Sequence, residues 1–185
     1  PFYFTVDSAR DLLFIPLASP IPFAYGGDRS GSNLFANSLV AVDISTGAYR
    51  WHFQTIHHDL WDLDPPAPPV LFNLTSASGI VPALAVTTKS GYLYVLNRET
   101  GVPIHEVSEK PVPQSKVPGE STSTTQPIPI ITPPMAKVSF NLSDLVSSDD
   151  TSSAHASACS KLLEEIGEIN NEGPFTPWSY RQNGA

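Results

Sequence analysis

An all-β fold carrying a partly helical insertion is what this sequence predicts, on three observations. Short apolar segments alternate with polar residues and end at Gly, Pro, Asn or Asp, the pattern of strands joined by turns. Prolines number 19 in 185 residues, roughly twice the usual share of about 5%, and proline at that density forbids long helices. A turn also repeats: aligning Asn97 with Asp43 brings Thr100-Gly101 onto Thr46-Gly47, 54 residues apart. A period near 50 with about four strands per unit is the spacing of β-propeller blades.

Leu12 to Leu17 is a short apolar run bounded by Asp11 and Ser19-Pro20 and reads as a buried strand. Ser19 to Asn33, rich in Gly, Pro and Ser, reads as a long ordered loop. Asn37–Asp43 and Tyr49–Gln54 flank the Ser45-Thr46-Gly47 turn as a β-hairpin, with Tyr49, Trp51 and Phe53 on one face. Pro65 to Pro69 is a stiff extended linker. Strands are expected at Val70–Phe72, Ala83–Thr88 and Tyr92–Leu96, with a turn at Ser90-Gly91. Lys110 to Pro134 reads as an extended surface excursion rich in Pro, Ser and Thr. Beyond it, Asn141 or Ser143 caps a helical turn. His155 to Ile169 carries apolar residues at Ala158, Leu162, Ile166 and Ile169, the spacing of one amphipathic helix. The resulting division is blades over 1–110 with a chemistry-bearing segment at 51–64, the excursion over 111–141, a mostly helical insertion over 142–172, and a return to the blades over 173–185.

Composition bounds the function. A hydrophobic fraction of 41% and a charged fraction of 15% suit a folded domain. A net charge of −8 argues against nucleic acid, which wants clustered Lys and Arg. The longest apolar run, Leu12 to Tyr25, is broken by Ser19 and three prolines, short of the roughly 20 apolar residues a spanning helix needs. The single cysteine, Cys159, allows no internal disulfide and reads as a small buried apolar residue. The chain opens at Pro1 and closes on Asn183-Gly184-Ala185, which reads as an internal piece of a longer protein.

Chemistry concentrates just past the hairpin, where two histidines, three aspartates and a tryptophan lie between His57 and Asp64. Ala41-Val42-Asp43-Ile44-Ser45-Thr46-Gly47 followed by Trp51 fits the AxDxxTGxxxW tryptophan-docking pattern of quinoprotein propellers. Trp51 to Asp64, WHFQTIHHDLWDLD, resembles the active-site segment of dehydrogenases that use pyrroloquinoline quinone (PQQ), nearest the membrane-bound glucose and quinate type. Tyr25 to Arg29, Val112-Pro113-Gln114, Thr125-Gln126-Pro127 and Gly173 to Pro177 match the same family.

The resemblance implies part of an eight-bladed propeller that oxidises a sugar, polyol or cyclic hydroxy acid in the periplasm. Attachment to the inner membrane would run through segments outside this chain. PQQ and a Ca²⁺ or Mg²⁺ ion are the implied cofactors, and ubiquinone or a cytochrome the implied acceptor. The aspartate after Leu60-Trp61, Asp62, takes the place of the family's general base near the metal. Lys89, 27 residues later, takes that of the cation against the quinone. Metal contacts are implied from Asp62, and from Ser19 or a main-chain carbonyl where alcohol-type members place an asparagine. The tryptophan on which the quinone stacks would fall at about Pro1, and the upstream glutamate ligand, paired cysteines and further blades lie outside the chain.

Two other readings of these residues stay open. Asp59, Asp62 and Asp64 also suit turn caps, so a propeller that binds proteins and does no chemistry is one alternative. It requires Asp62 and Lys89 to point away from the propeller axis and to share no pocket. A metal-dependent hydrolase is the other, and it requires several of His57, His58, Asp59, Asp62 and Asp64 to converge on one ion. Adjacent residues of a strand face opposite ways, which sets His57 and His58 apart.

Overall fold

In the computed structural model of the chain, which describes residues 3–76, 79–166 and 173–177, four antiparallel strands are neighbours in space in the order of the sequence. They are β1 (Thr5–Asp7), β2 (Leu12–Pro16), β3 (Ser38–Asp43) and β4 (Tyr49–Gln54). A second sheet repeats the order with β5 (Val70–Ser76), β6 (Gly79–Thr87) and β7 (Leu93–Asn97), and β8 (Val107–Pro111) pairs with β9 (Thr125–Pro129). Beyond them lie a 3-10 turn at Leu142–Asp144 and one helix, α1 (Ser153–Ile166).

The repeated turn is held the same way twice. Asp43 accepts hydrogen bonds from the Thr46 amide (2.9 Å) and hydroxyl (2.7 Å), and the Gly47 amide donates to the Asp43 carbonyl. Asn97 accepts from the amides of Glu99 (2.8 Å) and Thr100 (3.2 Å), and the Gly101 amide donates to its carbonyl. Both glycines adopt positive φ, +72° and +73°, a conformation that is strained for a residue with a Cβ.

One core joins the two sheets. Phe14, Leu39, Trp51 and Ile56 pack with Leu84, Tyr94 and Leu96 in a single buried cluster. Trp51 is the key piece: its Nε1 donates to the Arg98 carbonyl at 3.1 Å, its ring leans on Phe14, and its face fills the space above Gly101. A Cβ at Gly101 would lie 2.5 Å from Trp51 Cε3. Polar ties reinforce the joint. Arg98 Nε meets the buried Asp7 carboxylate at 2.9 Å, and the Thr5 hydroxyl donates to the Pro69 carbonyl.

Several elements differ from the sequence reading. β5 and β6 run longer than Val70–Phe72 and Ala83–Thr88, because polar Asn73 and Thr75 and an internal proline mask the strand pattern. Pro82 sits one residue beyond the last β6–β7 pair, Ala83 with Asn97, so its missing N–H breaks no ladder bond with β7. The stretch expected as a surface excursion takes in only the end of β8 but the whole of β9, and β9 turns inward to bury Gln126, Pro127 and Pro129. Asn141 caps the 3-10 turn as expected. On α1 the half-buried residues are Ala156, Cys159, Ser160 and Leu163, whereas Ala158 is exposed and Leu162 is 56% exposed. The helix is rotated by about one residue, roughly 100°, from the stripe expected of its larger apolar residues. The rest of that stripe and of the final segment, including Ile169 and residues 178–185, falls outside the described residues, as does Pro1.

The docking joint makes a stability prediction. Gly101→Ala is expected to cost about 2–4 kcal/mol, combining positive-φ strain with overpacking against Trp51. Gly47→Ala, whose Cβ would meet nothing within 4 Å, should cost only the strain, about 1 kcal/mol. Urea denaturation of both variants of this chain checks the difference.

Candidate active site

The segment that leaves β4 is pinned residue by residue. Thr55 donates from its amide and its hydroxyl to the Asn37 carbonyl, each at 2.8 Å. The fully buried Gln126 clamps His57 from across the molecule: its Oε1 accepts from the His57 amide (2.8 Å) and its Nε2 donates to the His57 carbonyl (2.7 Å). The His57 ring faces Gln54 and Glu109. His58 turns away with φ +47° and is buried. Its Nδ1 lies 2.7 Å from the Gly31 carbonyl, which only accepts, so the proton sits on Nδ1. A Cβ at Gly26 would lie 2.4 Å from the His58 Nε2, so that loop needs glycine to pass.

Asp59 is 1% exposed. Its Oδ2 accepts from the Ser19 hydroxyl (2.5 Å), Asn37 Nδ2 (2.8 Å) and the Leu63 amide (3.1 Å), and its Oδ1 accepts from the Trp61 amide (2.9 Å). Trp61 packs edge-on against Phe175, and its Nε1 donates to the Thr176 carbonyl at 2.8 Å. Phe175 is buried and also faces Tyr92. The segment from Gly173 to Pro177 thus walls one side of the loop.

Asp62 follows with φ +61°. Its Oδ2 lies 2.8 Å from the Lys89 ammonium, which lies 2.7 Å from Oδ1 of the buried Asp64. The Lys89 amide also donates to the Asp64 carbonyl. Lys89 rides on the tight turn between β6 and β7. There Gly91 (φ +81°) closes the chain, and Ala136 and Val138 would lie 3.3 and 3.1 Å from a Cβ placed on it. Burial works against the charge on Lys89, but hydrogen bonds and attraction from Asp62 and Asp64 outweigh it and hold the ammonium above the ordinary lysine range. The Lys89 and Asp62 side chains are 40% and 41% exposed, so a ligand can reach both.

The expected partners Asp62 and Lys89 therefore meet, from loops of two different sheets. Ser19 is turned to Asp59 and Asn37. The cluster His57 to Asp64 does not converge: among the described residues no group of three or more His, Cys, Asp or Glu side chains is arranged to hold a metal, which removes the support for a hydrolase. Nor do His57 and His58 part by strand alternation, since both lie in bends beyond β4.

An exposed ammonium fits an anionic or quinone oxygen, and the Asp62 and Asp64 oxygens are hard donors that suit Ca²⁺ or Mg²⁺. This chain supplies only part of such a ligand set. Sequence reasoning named Asp59 only as a turn cap or a hydrolase ligand, and Gln126 and Phe175 only within family-matching stretches; it gave none of them a part in holding this loop. The signals were a glutamine set among the prolines of Thr125-Gln126-Pro127 and a phenylalanine inside Gly173 to Pro177.

Because the folded state raises the Lys89 pKa, the stability it contributes is present below the ordinary lysine pKa and is lost as pH rises through the raised value. The urea midpoint of wild type should fall more than that of Lys89→Met as pH rises above the ordinary lysine range, by a small margin because both partners are part-exposed.

Known proteins share both the sequence and this architecture. The profile of the family described as "PQQ: Glucose/ethanol/alcohol dehydrogenase, beta-propeller domain" matches residues 2–184. The chain is 39% identical over 177 residues to the quinoprotein glucose dehydrogenase of Gluconobacter oxydans (strain 621H), covering 95% of this chain and 21% of that protein. It is 38% identical over 141 residues to a probable quinate dehydrogenase (quinone) of Xanthomonas campestris pv. juglandis, covering 75% and 18%. The quinohemoprotein alcohol dehydrogenase of Comamonas testosteroni superposes with a TM-score of 0.53 at 26% identity, over 70% of this chain and 19% of that one. The chain spans about a fifth of the length of the curated relatives it matches. On this agreement of sequence and fold, the chain belongs to the β-propeller domain family of PQQ-dependent glucose, ethanol and alcohol dehydrogenases.

Proposed function

We propose that the protein containing this chain is a PQQ-dependent dehydrogenase that oxidises a hydroxyl of a sugar, polyol or cyclic hydroxy acid. One observation carries the reading. Asp62 and Lys89, 27 residues apart in sequence and on separate loops, meet at 2.8 Å with both side chains open to a ligand.

PQQ, when bound, would supply the two-electron oxidant for the substrate carbon. The chain's own residues do the rest. Asp62 accepts the hydroxyl proton on its carboxylate as the carbonyl forms. Lys89 offers its ammonium to the oxygen on which negative charge develops, and Asp62 would offer hard oxygen to Ca²⁺ or Mg²⁺; the Ser19 oxygen, engaged by Asp59 and Asn37, is the weaker candidate. Relatives named for quinone and for cytochrome c as acceptors support a quinone or a cytochrome as the electron acceptor here, in the periplasm, with membrane attachment through other parts of the protein. The remaining blades are the partners that complete the site.

Asp62→Asn tests this in the full-length protein, loaded with PQQ and Ca²⁺ or Mg²⁺ and followed by dye reduction with aldoses, polyols, quinate and simple alcohols. The expected outcome is cofactor-dependent activity in wild type and a loss of kcat of about 10²–10⁴-fold in the variant. A wild type that binds no PQQ and reduces no dye would put the scaffold reading first.

A further inference from the structure

We propose that Asp59 is the positioning residue of this site, a buried carboxylate that fixes the backbone on both sides of Asp62 and so presents Asp62 to the substrate hydroxyl. The inference rests on Asp62 being the base. Asp59 does not act on substrate itself, because its side chain is buried beneath the loop.

The loop cannot hold its shape by local preference. Two non-glycine residues, His58 at φ +47° and Asp62 at φ +61°, lie in the left-handed region four residues apart. Each costs on the order of 1–3 kcal/mol and persists only where the surroundings over-determine it. Asp59 lies between them and supplies that determination on the Asp62 side, while His58 is held by the Ser32 and Gly31 carbonyls. The Trp61 and Leu63 amides, one residue to either side of Asp62, both donate to its carboxylate. The same carboxylate is tied through Ser19 and Asn37 to the chain between β2 and β3, so the Asp62 loop is anchored to the first sheet rather than to its neighbours. Four donors face it, which suits a group that only accepts.

Asn37 shows how strongly the site is built around this charge. Its Nδ2 points at Asp59 and Ser19, leaving its own Oδ1 buried without a partner. Rotating the amide would satisfy nothing, because it would turn an oxygen toward the carboxylate. Asp62 has no such cradle of its own: its side chain is part-exposed and meets Lys89, so its position follows from the backbone that Asp59 holds.

The test compares Asp59→Asn, Asp62→Asn and the exchange Asp59→Asn/Asn37→Asp in the full-length holoenzyme. An asparagine at 59 turns N–H groups toward donors and loosens the loop, whereas the exchange restores a complementary pair at 37 and 59. Asp59→Asn should lower kcat by about 100-fold, the cost of misplacing a reacting group by about 1 Å. Substrate KM and the PQQ dissociation constant, read by fluorescence titration, should stay near wild type. The isotope effect with substrate deuterated at the carbinol carbon should grow as the chemical step becomes limiting, and the exchange should recover part of the lost rate. Should Asp59→Asn fail to fold, the exchange decides by the same readouts: a folded protein with wild-type PQQ affinity and lowered kcat supports the role. Wild-type kcat in Asp59→Asn, or a loss of PQQ binding in step with kcat, overturns it. Activity that survives Asp62→Asn overturns the base, and this role with it. Activity lost in Asp62→Asn but kept in Asp59→Asn overturns the positioning role alone.

Discussion

The seating of Trp51 over Gly101 is the contact on which the remaining geometry depends. It joins the first sheet to the second through a ring with no room for a side chain beneath it, and it adds a hydrogen bond to the Arg98 carbonyl. Packing of this kind is unforgiving, since interiors tolerate neither added nor missing volume. The loop after β4 and the turn between β6 and β7 are carried by these two sheets, so the dock sets how closely Asp62 and Lys89 approach. A hydrophobic contact between sheets thereby fixes an ion pair between their loops.

The loop after β4 is held by buried apolar side chains such as Ile56 and Leu60 and, between them, by buried polar ones. Gln126 matches the donor and acceptor of His57's main chain with the acceptor and donor of its own amide. Asp59 gathers two amides, a hydroxyl and a side-chain amide. Tyr94 extends the pattern, its buried hydroxyl donating to the Pro127 carbonyl, and burial raises its pKa far above the usual phenol range. Each of these groups would be costly to leave unpaired, so each also selects one loop conformation.

Electrostatics complete the arrangement. The chain carries a net charge of −8, yet its acidic groups are not spread evenly around the site. Asp59 is consumed by hydrogen bonds, Asp64 is buried against Lys89, and Asp62 stands part-open. The three aspartates between positions 59 and 64 thus hold three different environments, and only Asp62 stands where a ligand can reach it.

Much of this was legible in the residues themselves. The hairpin around Ser45-Thr46-Gly47 and the repeat at Asn97 follow from turn chemistry and strand alternation, which are local. Asp62 and Lys89 stood out through a motif and a spacing. Longer-range features were not legible. β9 reads as part of a proline-rich excursion, because nothing near Gln126 in sequence reveals that its amide meets His57, 69 residues away. The confinement of Ser19 by Asp59 joins residues 40 apart, and the tie from Trp61 to the segment that carries Phe175 spans 115. The side of α1 that turns inward is likewise set by distant packing. Sequence by itself determined the first hairpin, the repeated turns and the family, since these rest on backbone preferences and neighbouring residues. Only the tertiary structure decided which aspartate is buried, which is paired and which is open, because burial and hydrogen-bond partners come from segments the local sequence does not contain.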